Sequence, residues 1–121
     1  SDMLLGLTIT DTTAIDGVTD GVFFKKDDGD TNLDFVVEKD STETATAAVG
    51  TVADDTFITA TFFIDPDRSK VYYSINNAAP VGVVNTNLPD NEELTVTIAV
   101  QAGAAAAKSL TVDYVSAIVE R

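Results

Sequence analysis

The stretch Asp54 to Asn76 reads DDTFITATFFIDPDRSKVYYSIN. Ile58, Ala60, Phe62 and Ile64 share one parity before its centre, and Val71, Tyr73 and Ile75 share one parity after it. A strand turns successive side chains to opposite faces, so each set forms the apolar face of its own strand. Between the two sets lies Asp65-Pro66-Asp67-Arg68. Proline presets φ for the second position of a type I turn, and an aspartate before it accepts a hydrogen bond from the turn backbone. The spacing predicts a β-hairpin. Two arms and a turn do not hold together alone in water, so further strands must cover the apolar face.

Upstream, Leu5, Leu7 and Ile9 alternate as a first strand, and Val22 to Lys26 read as a second. The loop between them, Asp11 to Asp20, carries the turn pairs Asp16-Gly17 and Asp20-Gly21. The acidic turn around Asp28-Gly29 is read as a type I′ hairpin turn, because glycine tolerates positive φ. Leu33 to Lys39 return as a third strand, Asp40-Ser41-Thr42 turn the chain, and Glu43 to Val49 form a weaker strand of small residues.

Downstream, Pro80 lacks a ladder donor, which makes Val81 to Val84 an edge strand or strand start. Leu94, Val96, Ile98 and Val100 alternate with polar or small residues, the pattern of a half-buried strand. Gln101 to Lys108 read as a bent loop, and Leu110 to Val119 as the last strand. About nine short strands at roughly the 8–12 residue spacing of sandwiches and barrels predict an all-β fold, an antiparallel β-sandwich. The 121 residues provide for a single domain over 1–121. Strand character begins at once at Leu4, so residues upstream and an edge covered by a neighbouring chain are expected.

Composition narrows the function classes. The net charge is −13. Such a surface repels phosphate backbones, so nucleic acid is not an expected partner. No apolar run approaches the roughly 20 residues of a bilayer-crossing helix, so no membrane span is expected. Cysteine and histidine are both absent. That removes disulfides, thiolate zinc sites, the usual general base and the strongest nucleophile. A glycosidase needs two carboxyl groups facing a cleft. Neither Glu38-Lys39-Asp40 nor Asp113-Tyr114-Val115 approximates the Glu-x-Asp-x-x-Glu strand of sandwich glycosidases. The expectation is a protein without catalytic activity, with Glu38 and Asp113 the pair that a hydrolase remnant would use.

Three groups of residues are candidate sites. Asp28, Asp30 and Asn32 space oxygen ligands at alternate positions of a loop, which can supply several of the roughly six to eight oxygens that calcium takes. The EF-hand pattern fails there, with Leu33 at the sixth position and Lys39 at the twelfth, and a plain hairpin turn is the competing reading. Asp11, Asp16 and Asp20 line one long loop and could converge on a cation. Tyr72, Tyr73 and Tyr114 could form a sugar-stacking platform or pack in the core with their hydroxyls at a partner. Asp113 could be half-buried against Lys70 or Arg68, or face solvent.

Several strings together resemble a known family. They are Gly6 to Thr13 (GLTITDTT), Asp20 to Asp30 (DGVFFKKDDGD), Phe62 to Asn76, Asn87 to Thr95 (NLPDNEELT) and Leu110 to Val115 (LTVDYV). The chain resembles the concanavalin-like jelly-roll domain of tailed-phage virion structural proteins. The family's turn often reads Asn-Gly where this chain has Asn76-Asn77, and asparagine tolerates the left-handed region. The resemblance implies a jelly roll whose relatives carry further strands upstream, so that this chain corresponds to a carboxy-terminal part or a minimal version. It implies a capsid decoration or cement protein on the virion head surface, made in the host cytoplasm. The implied partner is the major capsid protein or another virion protein. Homo-oligomers are expected because they hide edge strands, and trimers from capsid geometry. The alternative is a lectin-like carbohydrate-binding or adhesin module.

Overall fold

The computed structural model describes residues 1–10, 13–65, 67, 69–84 and 86–119. Its strands are β1 (Asp2–Thr8), β2 (Gly21–Lys26), β3 (Asn32–Lys39), β4 (Thr42–Thr51), β5 (Ala60–Asp65), β6 (Lys70–Ile75), β7 (Val81–Val84) and β8 (Thr95–Gln101). They form a five-stranded sheet in the order β4-β3-β2-β1-β8 and a three-stranded sheet in the order β5-β6-β7. Every pairing is antiparallel. The protein is all-β, an antiparallel β-sandwich, as the alternation predicts.

The opening hairpin forms as read. Ala60 pairs with Ile75, Phe62 with Tyr73, Ile64 with Val71, and Asp65 with Lys70. Its Asp65-Pro66-Asp67-Arg68 turn falls partly outside the described residues, at Pro66 and Arg68. Other turns follow from backbone chemistry. Asp40 and Ser41 have φ of 50° and 60°, and Asn76 and Asn77 have φ of 52° and 58°. Paired positive φ values are what a two-residue type I′ connection needs. The Asn76-Asn77 turn is closed by the Ala78 N–H donating to the Ile75 carbonyl at 3.0 Å. At the acidic turn, Asp28 is not in the left-handed region and Gly29 is, with φ of 80°. The Asp30 N–H donates to the Asp27 carbonyl at 3.2 Å, so this is a single-glycine turn, not the type I′ pair expected.

Period 2 sorts each strand into two faces. Met3, Val22, Phe24, Leu33, Phe35 and Val37 of the large sheet meet Val71 of the small one in the principal core. The Phe35 ring lies 4.9 Å from Phe24, 5.9 Å from Phe62 and 5.2 Å from Tyr73. Fully burying an aromatic of this size contributes about 1.5–3 kcal/mol. On the opposite face of the large sheet, Leu4, Phe23 and Val36 are covered by Ile15 and Val18 from the β1–β2 loop. That loop is pinned at its end, where buried Asp20 accepts the Asp40 N–H at 3.1 Å and its carbonyl accepts the Ile9 N–H at 3.0 Å.

The expected last strand does not form. Residues 110–119 contain no strand among the described residues, which makes eight strands rather than nine. Leu110 still packs against the principal core, but Tyr114, Ile118 and Val119 are 69%, 92% and 83% exposed. Asp113 is exposed too, so the half-buried position considered for it is not realised. Alternation shows that a segment suits a pleated surface; it does not guarantee that the chain meets a sheet edge in a direction it can pair with.

Candidate functional site

The acidic turn uses its oxygens locally. Asp30 Oδ1 accepts the backbone N–H groups of Thr31 at 2.6 Å and Asn32 at 2.9 Å. These two bonds hold the Asp30 carboxyl below the usual carboxylate range. Asp28 takes the Ser1 ammonium, and its carboxyl is lowered chiefly by that bond. Asn32 sits at the start of β3. The alternate spacing thus builds an Asx-type turn that shapes the β2–β3 connection. No group of three or more metal-ligating side chains is assembled among the described residues. In the β1–β2 loop, Asp11 lies outside the described residues, Asp16 is exposed and Asp20 is committed to the Asp40 N–H.

Glu38 and Asp113 lie in unlike surroundings. Glu38 is buried on β3, directly across from Glu43. Burial pushes its carboxyl above the ordinary value, and Glu43 and Asp20 add like-charge repulsion that Lys25 partly offsets. Lys25 itself donates to Glu43 Oε2 at 3.0 Å. Asp113 belongs to the exposed tail.

The tyrosines do not share a face. Tyr73 turns inward to Phe35, while Tyr72 turns outward and stacks on Phe63 with ring centroids 4.7 Å apart and planes 12° apart. Tyr114 is in the tail. The Phe63–Tyr72 stack is held by strand register: the two residues are direct partners across β5 and β6, and Gly82 of β7 lies beside Tyr72. A methyl at Gly82 would sit 2.8 Å from Tyr72 Cε1, so glycine there makes room for the ring. Phe63 is 50% exposed. The stacked pair stands on the outside of the small sheet, with Phe63 exposed and Tyr72 half-buried. Phe63 was not among the sequence candidates. Counting back from the Asp65–Lys70 turn would have paired it with Tyr72.

A second apolar surface follows from the unequal sheets. Met3, Leu5 and Leu7 pair with Val100, Ile98 and Val96, so these six share the core-facing side of β1 and β8. Phe62 of β5 reaches Phe24 and Phe35, and Tyr73 of β6 reaches Phe35, which places β5 and β6 over β2 and β3. Nothing in the small sheet lies beyond β5 in the direction of β1 and β8 among the described residues. Val96, Ile98 and Val100 are accordingly 48%, 40% and 40% exposed on the side that should be core. At one end of this strip an open cleft of about 1090 Å³ is lined by Met3, Val100, Val52, Phe57 and Leu110, together with Asp54 and Asp55.

Compared with known proteins, the chain matches no family model, no curated protein and no solved structure.

Proposed function

We propose that this chain is a non-enzymatic structural domain of a tailed-phage virion, a concanavalin-like jelly roll that decorates the outer surface of the head. The resemblance of the quoted strings motivates the reading. The observation that carries it is the distribution of apolar surface. It includes Phe63 on the outer side of the small sheet, a separate place from the inward strip of Val96, Ile98 and Val100, so a face remains for attachment to a partner. A net charge of −13 keeps such a protein dispersed before assembly. The partner is the major capsid protein or another virion protein. Mass spectrometry and electron cryomicroscopy of purified source particles test this reading. Peptides of the chain in many copies, with matching density on the head, are expected. Particles without the chain retire the proposal.

A carbohydrate-binding module is the second reading, favoured by the Phe63–Tyr72 stack. The exposed Phe63 ring, held in place by Tyr72, offers aromatic surface to the apolar side of a sugar. A glycan array with and without calcium, run beside Phe63→Ser, tests it. Binding that disappears in the variant is expected, and no binding to any glycan removes the reading.

A further inference from the structure

We infer that the tail of one copy, Leu110 to Val119, is the missing strand of a second copy, pairing with the free edge of β5 and covering Val96, Ile98 and Val100. This goes beyond the functional proposal and holds whatever surface the domain attaches to.

The edge is ready to pair. The Thr59 carbonyl accepts the Asn76 N–H at 2.7 Å and its N–H donates to Asn76 Oδ1 at 3.0 Å, so Thr59 faces β6. In an antiparallel ladder alternate residues face the same neighbour. Ala60, Phe62 and Ile64 therefore direct their backbone N–H and C=O groups away from β6, to the edge that no described strand occupies. A strand placed there lies about 10 Å above the large sheet, over the strip that β5 leaves uncovered.

The tail has the matching pattern. Leu110, Val112, Tyr114 and Ile118 share one parity, and Thr111, Asp113, Val115, Ala117 and Val119 the other. The first set supplies an inward apolar face, and the second carries the charge outward. Val112, Tyr114 and Ile118 are 45%, 69% and 92% exposed, so the chain's own core does not use them.

Direction selects a second copy over the same chain. β5 starts at the end of the sandwich where Gly50 lies against Ile58 and Ile75. The tail sets out from that same end, since Leu110 lines one cleft with Met3, Val100 and Phe57. Folding into its own vacancy would make the tail run parallel to β5, in a protein whose pairings are all antiparallel. A tail arriving from another copy can run antiparallel. Exchange of this kind closes into a symmetric oligomer and removes an open edge from each copy.

The test uses the absence of native cysteine. Thr61 is exposed on the outer side of β5, one strand spacing from where the tail would lie. Chains with Thr61→Cys are mixed with chains carrying Asp113→Cys, Val115→Cys or Ala117→Cys and oxidised. Light scattering follows assembly of the unmodified chain and of Ile98→Lys, and circular dichroism checks that the variant stays folded. A disulfide between the two kinds of chain at one or two tail positions is expected. So is an oligomer that strengthens with salt, because copies of like charge repel, and that Ile98→Lys reduces to a folded monomer. A monomer at every concentration overturns the inference. So does an intrachain disulfide in a chain that carries both Thr61→Cys and one of the three tail substitutions, or an oligomer that neither cross-links nor responds to Ile98→Lys.

Discussion

Gly6 of β1 lies directly opposite Phe23 of β2, and a methyl group at Gly6 would sit 2.6 Å from Phe23 Cβ. No rotamer change relieves that contact, because the neighbouring atoms include backbone. Gly6→Ala must push β1 off β2 in the middle of the large sheet. The expected loss is about 2 kcal/mol, near the middle of the overpacking range, read as a lowered midpoint in urea. An unchanged midpoint would contradict the tight β1–β2 approach.

Phe35 is fully buried at the meeting point of the Phe24, Phe62 and Tyr73 rings. Phe35→Ala should cost about 3–5 kcal/mol, and Phe35→Leu distinctly less because more of the volume is kept. Domains of this size have about 5–15 kcal/mol in all, so the alanine variant is expected to be partly unfolded at 37 °C. Thermal melts of both variants rank the two losses.

Glu38 sets a pH dependence of definite sign. Its folded carboxyl is held above its ordinary value of 4.5 by burial first and by Glu43 next. The folded state therefore binds that proton more tightly than the unfolded chain. Its contribution is complete below 4.5 and is lost as pH rises through the folded value. Glu38→Gln should raise the melting temperature at pH 7 and flatten the gain otherwise seen on mild acidification. Asp90 acts in the opposite sense. The hydrogen bond from Lys39, 2.6 Å long, lowers its carboxyl below 3.8, so that support is present above 3.8 and fades as pH falls through the lowered value. Melting curves from neutral to acid pH for the parent, Glu38→Gln and Asp90→Asn separate the two.

The β3–β4 turn holds Asp40 and Ser41 at φ of 50° and 60° without a glycine. A side chain in the left-handed region costs roughly 1–2 kcal/mol, least for Asn, Asp and Gly. Asp40→Asn with Ser41→Gly keeps the backbone N–H that Asp20 accepts and relaxes the turn. A gain of about 1 kcal/mol is expected, measured by denaturant titration.

Much of this fold is legible from parity alone. Phe62, Ile64, Val71 and Tyr73 declare one face, and the structure packs that face where the alternation says. Asn76-Asn77 announce their turn because asparagine tolerates positive φ. Leu110 to Val119 misled for a physical reason: a strand needs an edge it can pair with as well as a pattern, and the edge belongs to tertiary structure. Phe63 escaped because attention to the inward parity hides what the outward parity displays. The acidic turn was legible as a turn, but the Asp30 bonds to Thr31 and Asn32 that occupy its carboxylate require coordinates.

Ile15 and Val18 roof over Leu4, Phe23 and Val36, while the opposite sheet leaves Phe63 exposed beside the half-buried Tyr72. The molecule thus has a shuttered back and an open front. A partner that docks on apolar surface would meet the molecule from that open front and leave the shuttered back to the surrounding medium.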